Sequence, residues 1–167
     1  MTDKTYNVLF LCTGNSARSI MAEAILNVLG KGRFRAYSAG SQPSGQVQPM
    51  AKELAEAIGY DASQVRSKNW DEFAVEGAPE MDMVITVCDN AAGESCPLWL
   101  GHPALAHWGV PDPVAATGDD DAKRHAYTAA FATLRRRIEL LLSLPLDKLD
   151  HLAAQARLRE IGKVGAE

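Results

Sequence analysis

Residues 6–19 read YNVLFLCTGNSARS, an apolar run that ends in a cysteine and is followed by a short polar turn and an arginine. The apolar run is typical of a buried parallel strand. The apolar residues that recur from position 17 to position 29 predict an amphipathic helix. A buried strand joined to a helix by so short a turn is the first half of a strand–helix–strand unit, and it decides the fold class.

The same alternation continues along the chain. Apolar runs predict further strands at 34–38, 83–87 and 104–108, and periodic patterns predict further helices at 49–58 and 123–142. Strands that alternate with helices predict an α/β fold, here three α/β/α layers around a four-stranded parallel sheet. Ligands of such folds bind at the carboxyl ends of the strands, so we expect a functional site in the turns after them.

The 167 residues divide into one domain over residues 1–144 and a C-terminal helical extension over residues 145–167. We expect the core of the domain to be complete without the extension. A helix is predicted over residues 148–161, and it is either an extra packed helix or a helix that binds a partner. Its predicted inward residues are Leu149, Leu152 and Ala156.

Composition and charge exclude several classes of protein. Apolar residues make up 47% of the chain and charged residues 23%, which are ordinary values for a globular protein. The net charge of −4 argues against a general affinity for nucleic acid. No apolar run approaches the roughly 20 residues of a membrane span, and no secretory leader is evident. Three cysteines, an odd and low number, favour a cytoplasmic protein in a reducing compartment.

The turn after the first strand has the chemistry of an anion site. Successive backbone N–H groups of a tight loop form an anion nest, and the following helix adds the positive end of its dipole. Arg18 can hold two oxygens of a tetrahedral oxyanion. These groups are expected to lower the pKa of the Cys12 thiol from about 8.5 toward roughly 3.5–7.5, which makes it a thiolate nucleophile that the Ser19 hydroxyl can stabilise. The predicted oxyanion-binding residues are Thr13, Gly14, Asn15, Ser16, Ala17, Arg18 and Ser19.

Four stretches of the chain resemble a known family, the arsenate reductases built on the low-molecular-weight protein tyrosine phosphatase fold, of the three-cysteine, thioredoxin-coupled type. The resemblance covers residues 7–143 and leaves the extension outside. It implies reduction of arsenate to arsenite for arsenic detoxification, with Cys12 as nucleophile and Asp112 as the proton donor. The stretches are CTGNSARS at 12–19, YSAG at 37–40, VITVCDNAAGESCP at 84–97 and HWGVPDP at 107–113.

The resemblance also implies a redox role for the other two cysteines. Cys88 attacks the Cys12 sulfur, Cys96 then attacks Cys88, and thioredoxin, or glutaredoxin with glutathione, reopens the Cys88–Cys96 disulfide. The residues alone also allow a buried Cys88 with an incidental surface Cys96. A metal site that adds His102 and His107 is a third possibility, although its spacing is not a usual zinc pattern.

We expect no metal and no other cofactor. Some reductases of this type bind a potassium ion near the cradle through positions that resemble Asn15, Glu23 and Ser38. Lys68 falls where those proteins carry an acidic ligand, and its ammonium group can replace the charge of the cation.

Two other functions use the same turn. A tyrosine phosphatase of this fold needs only Cys12, Arg18 and Asp112, but such phosphatases usually carry aromatic residues just after the Asp-Pro pair, where this chain has VAA at 114–116. A non-catalytic oxyanion-binding module would use the same nest. Asp112 argues against that module, because a carboxylate beside a bound dianion is unfavourable unless it donates a proton.

Overall fold

Four parallel strands form the sheet of the protein, of which a computed structural model describes residues 5–87 and 103–164. The sheet confirms the predicted α/β class, and each strand lies within two residues of its expected bounds. In the order β2-β1-β3-β4, β1 pairs with both β2 and β3, and β4 is an edge strand. The strands are β1 (Tyr6–Leu11), β2 (Phe34–Ala39), β3 (Met83–Thr86) and β4 (Ala104–His107).

The helices follow the predicted alternation. Asp119 caps α3 by accepting a hydrogen bond from the Ala122 backbone N–H at 2.9 Å, so this helix begins three residues earlier than expected. In the described part of the chain, no helix combines the length and the apolar character needed to cross a bilayer. The helices are α1 (Arg18–Leu29), α2 (Pro49–Ala57), α3 (Asp120–Leu142) and α4 (His151–Ile161), with short 3-10 helices at Ala62–Gln64, Trp70–Phe73, Pro113–Ala115 and Leu146–Lys148.

Apolar clusters cover both faces of the sheet. Val8 and Phe10 of β1 belong to the main cluster with residues of all four helices, among them Ile25 of α1 and Ile138 of α3. The alternate residues of β1 belong to a second cluster, which includes Trp70. Because β1 is buried on both faces, its sequence is continuously apolar instead of alternating.

The inward face of α4 differs from the prediction. The buried residues are Leu158 and Ile161, which belong to the main apolar cluster, so the expectation that the core is complete without the extension was wrong. Leu152 is 73% exposed, and Ala156 is also exposed. The division of the chain at residue 145 stays a prediction.

The physical reason for this difference is that α4 packs against the edge strand β4 through polar side chains. The Leu105 backbone N–H donates to Gln155 Oε1 at 2.9 Å, and Arg159 Nε donates to the Leu105 carbonyl at 3.1 Å. The two side chains satisfy backbone groups of an edge strand that would otherwise be open to another strand. The part of α4 that lies against β4 therefore carries polar residues that bond to the unpaired backbone groups of the edge strand. A search for an apolar stripe does not find this part of the helix surface.

We expect Leu158→Ala to lower the free energy of unfolding by about 2–5 kcal/mol, because it removes a fully buried side chain from the main cluster. The matched control is Leu152→Ala on the same helix, which should change stability by less than about 0.5 kcal/mol. Urea denaturation followed by tryptophan fluorescence measures both values. Equal effects of the two substitutions would contradict the packing of α4 into the core.

Candidate active site

Cys12 lies at the carboxyl end of the central strand. It follows the last residue of β1 and is 4% exposed. Its backbone N–H donates to the Ala39 carbonyl at 3.2 Å, which extends the pairing with β2 to the first residue of the turn. The thiol is thereby fixed at the edge of the sheet where ligands of α/β folds bind.

Gly40 allows β2 to lie against this turn. A Cβ atom at that position would overlap the carbonyl oxygens of Cys12 and Thr13. Only glycine fits such a close backbone approach. The YSAG stretch at 37–40 thus has a steric role that the sequence pattern alone did not reveal.

The carbonyl groups of the loop point away from the predicted anion site. The Thr13 carbonyl accepts from the Gln42 N–H at 3.0 Å, and the Ser16 carbonyl accepts from the Gln48 N–H at 2.9 Å. Gly14 accepts twice, from a backbone N–H at 3.0 Å and from the Ser67 hydroxyl at 3.1 Å. Because the N–H of a trans peptide points opposite to its C=O, the N–H groups that follow these carbonyls point toward the interior of the loop.

The N-terminus of α1 adds further donors. The helix is preceded by Ala17, which has no side chain able to cap it, and its first turn contains no acidic residue. The first N–H groups of a helix have no partner within the helix and carry the positive end of its dipole. The loop and the helix start, called the cradle below, have the backbone geometry expected of an anion site, and anion binding there stays a prediction.

Asn15 fixes the shape of the cradle. It adopts a left-handed conformation with φ of 44°, which asparagine tolerates better than most residues do. Its side chain is fully buried, donates from Nδ2 to Ser19 Oγ at 2.8 Å and accepts from the Lys68 backbone N–H at 2.8 Å. Since Ser19 accepts this bond, its own hydroxyl proton is left to be donated elsewhere.

A buried charge cluster lies beside Asn15. Glu23 is 5% exposed, and its carboxylate accepts from Ser38 Oγ at 2.6 Å and from the Tyr60 hydroxyl at 2.7 Å. Lys68 is 8% exposed, with its ammonium 3.9 Å from that carboxylate and 3.4 Å from Ser38 Oγ. Burial lowers the pKa of Lys68, and the charge of Glu23 opposes this shift. Burial and the charge of Glu23 together raise the pKa of Tyr60 well above its ordinary value.

These residues do not fit a potassium ion. The ammonium of Lys68 is within reach of both Glu23 and Ser38 and supplies the positive charge that a bound cation would bring. A second cation there would be repelled by the ammonium at close range. Among the described residues, no group of three or more histidine, cysteine, aspartate or glutamate side chains could hold a metal ion.

Arg18 joins the cradle to the loop that carries Asp112. Its Nη1 donates to the Val110 carbonyl at 2.9 Å, and its Nη2 lies 3.6 Å from Asp112 Oδ2. The side chain of Arg18 is 13% exposed and that of Asp112 is 41% exposed, so the acid is open to solvent at the mouth of the cradle. Asp112 also accepts from the Val114 N–H at 3.0 Å, which caps the following 3-10 helix.

Tyr127 is a residue near the site that sequence reasoning missed. It belongs to the apolar stripe of α3 and is 5% exposed. Burial raises its pKa, and the charge of Asp112 raises it further. No local motif marks Tyr127, because its spacing is that of an ordinary core residue.

The described residues contain nine of the eleven predicted site residues, namely residues 12–19 and Asp112. The structure brings together Cys12, the loop through Ser19, and Asp112, which are distant in the sequence. Cys88, Cys96 and His102 lie outside the described residues. His107 Nδ1 is 2.7 Å from Thr86 Oγ1, a contact between neighbouring strands.

We expect the buried pair of Lys68 and Glu23 to be strongly coupled. Lys68→Met alone leaves a buried carboxylate without its cation and should cost about 3–5 kcal/mol of unfolding free energy. The double variant with Glu23→Gln should cost less than the sum of the two single variants. The control is the exposed pair of Arg66 and Glu72, 2.6 Å apart, whose coupling should be below about 1 kcal/mol. Additive effects of the buried pair in urea denaturation would contradict the role of Lys68.

Known proteins share this fold and much of this sequence. The profile of the family described as low molecular weight phosphotyrosine protein phosphatase matches residues 7–155. An arsenate reductase of Halalkalibacterium halodurans is 35% identical over 132 residues, which are 79% of this chain and 91% of that protein.

Two solved structures extend the comparison. An arsenate reductase in the phosphate binding state superposes with a TM-score of 0.66 at 28% identity, covering 83% of this chain and 97% of the other. A low molecular weight protein tyrosine phosphatase from T. tengcongensis superposes with a TM-score of 0.65 at 26% identity, covering 86% and 99%. The chain therefore belongs to the low-molecular-weight phosphotyrosine protein phosphatase family.

Proposed function

We propose that the protein reduces arsenate to arsenite by a thiol relay that begins at Cys12. The observation that carries the proposal is the ion pair of Arg18 with Asp112, 3.6 Å apart, at the mouth of a loop whose amide groups point inward. In the proposal, Cys12 is the nucleophile, Arg18 is the cation that binds the oxyanion and Asp112 supplies the carboxyl group, and the proximity of Arg18 and Asp112 supports this assignment. The similarity to proteins named arsenate reductases supports the same reaction.

In the first step, the arsenate oxygens take the place of the Asp112 carboxylate at Arg18, and the Cys12 sulfur attacks the arsenic atom. The inward N–H groups and Arg18 hold the arsenate oxygens and stabilise the charge that develops on them. Asp112 carries the proton released by the Cys12 thiol to the departing hydroxide, which leaves as water. Ser19 stabilises the thiolate through its free hydroxyl proton.

In the second step, the Cys88 thiolate attacks the Cys12 sulfur. The electron pair of the sulfur–arsenic bond passes to arsenic, arsenite leaves, and a Cys12–Cys88 disulfide forms. Cys96 then attacks Cys88, which frees Cys12 and leaves a Cys88–Cys96 disulfide. Val87, which precedes Cys88 in the chain, donates its N–H to the Leu11 carbonyl at 2.8 Å, and this bond supports an approach of the two thiols.

An external dithiol completes the cycle by reducing the disulfide. Thioredoxin, or glutaredoxin with glutathione, is the expected reductant, and the cytoplasm is the compartment in which cysteines are kept reduced. The partners are thus a phosphate-like oxyanion and a redox protein, with no role for nucleic acid or membrane.

Phosphatase activity is the second candidate, because Cys12, Arg18 and Asp112 also suffice for hydrolysis through a cysteinyl phosphate. The residues after Asp112 disfavour it. Phosphatases of this fold usually carry aromatic residues just after the Asp-Pro pair, where this chain has Val114, which is 45% exposed, and two alanines.

One assay separates the candidates. The reduced protein is mixed with arsenate, thioredoxin, thioredoxin reductase and NADPH, with glutathione and glutaredoxin in a parallel reaction. NADPH oxidation that requires arsenate is expected. Hydrolysis of aryl phosphate without arsenate-dependent oxidation would support the phosphatase, and arsenate binding with neither activity would support a binding module.

The thiol relay predicts different defects for two cysteine substitutions. Cys12→Ser should abolish arsenite formation, because the nucleophile is lost. Cys96→Ser should release about one equivalent of arsenite and then stop, because the Cys12–Cys88 disulfide cannot be passed on. Arsenite measured by rapid quench counts the equivalents, and undiminished steady turnover of Cys96→Ser would rule out the three-thiol relay.

A further inference from the structure

The chain segment that leads to Asp112 is held by the C-terminal residues. Trp108 is fully buried, and its indole Nε1–H donates to the Leu158 carbonyl of α4 at 2.8 Å. The end of α4 approaches so closely that a Cβ atom on Gly162 would overlap the His107 carbonyl oxygen. The backbone just before the acid loop therefore lies directly against the end of α4.

A buried arginine makes a second link. Arg137 of α3 is 5% exposed, and it donates from Nη1 to the Gly109 carbonyl at 2.9 Å and from Nε to the Val164 carbonyl at 3.0 Å. Within residues 5–87 and 103–164, no carboxylate pairs with this guanidinium, and burial lowers its pKa below the ordinary value. A buried cation without a carboxylate is costly. Arg137 instead bridges two backbone carbonyls, those of Gly109 and Val164.

The chain between these anchors and the acid is short and stiff. Only Val110 and a proline separate Gly109 from Asp112, and a second proline follows. Proline fixes φ, so this stretch has few backbone torsions that can absorb a displacement. Arg18 holds the Val110 carbonyl from the cradle side at 2.9 Å. A shift of Gly109 is therefore passed on to the carboxyl group of Asp112.

We propose that the C-terminal segment, defined as α4 with residues 162–164, positions the proton donor of the reaction. Through Trp108 and through the Arg137 bridge to Gly109 it holds the Asp112 loop over the cradle. In this proposal the segment has a positioning role and acts only through Asp112. The inference rests on the proposed function, in which Asp112 protonates the leaving hydroxide.

The test measures the single-turnover rate at which the reduced, full-length protein converts arsenate to arsenite without an external reductant. We expect Arg137→Met and Trp108→Phe to lower this rate about tenfold, with little change in the arsenate concentration that gives half the maximal rate. In an Asp112→Asn background, the same substitutions should lower the rate less than twofold, because the acid they position is already absent.

Arg33→Met is the matched control. It also removes a bond from an arginine to a backbone carbonyl, but that carbonyl belongs to Leu142 at the end of α3, and neither residue is part of the C-terminal segment or of the acid loop. We expect it to leave the rate unchanged. A chain that ends at Gly162 loses the Val164 carbonyl and keeps α4, so it provides a milder variant if Trp108→Phe does not fold. Circular dichroism and thermal unfolding identify the folded variants.

The outcomes separate the inference from the function. The positioning role would be overturned if Arg137→Met and the chain ending at Gly162 both react at the wild-type rate. It would also be overturned if the substitutions lower the rate by the same factor with and without Asp112. Either outcome would leave arsenate reduction intact. A wild-type rate of Asp112→Asn would overturn it as well. If the unsubstituted protein forms no arsenite, the proposed function itself fails.

Discussion

The outward direction of the carbonyl groups of the loop after β1 is the constraint on which the site depends. A trans peptide cannot present both its C=O and its N–H to the same ligand, so an anion is bound only if the carbonyls are engaged elsewhere. The carbonyls of Thr13, Gly14 and Ser16 accept hydrogen bonds from the chain beyond β2 and from Ser67. The conformation of the cradle is therefore set by residues far away in the sequence, and Gly40 is the position at which the two segments come close enough for these bonds to form.

Three positively charged side chains near the loop after β1 and the acid loop differ in what they contact. Arg18, at the mouth of the cradle, is the cation that can contact an oxyanion. Lys68 is buried beside Glu23, and its backbone N–H holds the side chain of Asn15, so this residue supports the loop from behind. Arg137 bonds to carbonyls near the acid loop. An acidic protein can therefore bind an anion, because the local electrostatic potential is set by a few nearby groups, the backbone N–H groups of the loop and the Arg18 guanidinium.

Much of this arrangement could be predicted from the sequence, and the exceptions share a cause. The turn after β1, the Asp-Pro pair and the alternation of strands and helices are local patterns. The sheet follows that alternation, and Asp112 lies 3.6 Å from Arg18, while the roles of these residues stay predictions. Tyr127 was predicted only as a core residue, and Arg137 was not predicted, since its role depends on the Gly109 and Val164 carbonyls that it contacts across the fold. The inward face of α4 was predicted incorrectly for a related reason. α4 buries Leu158 and Ile161 instead of Leu152 and Ala156, because the helix also meets the edge of β4, to which Gln155 and Arg159 form hydrogen bonds.

The position of α4 has a consequence for how the family fold is used in this chain. The family profile matches residues 7–155, whereas the contacts to His107, Trp108 and Arg137 come from Leu158, Gly162 and Val164. The residues proposed for catalysis thus lie within residues 7–155, which the family profile matches. The contacts from residues 158–164 reach the segment that leads to Asp112. A loop held from one side by Arg18 alone would depend on a residue that must also bind the substrate. Support from the C-terminal side separates these two demands, because the position of Asp112 then no longer rests on the same guanidinium that an incoming oxyanion engages.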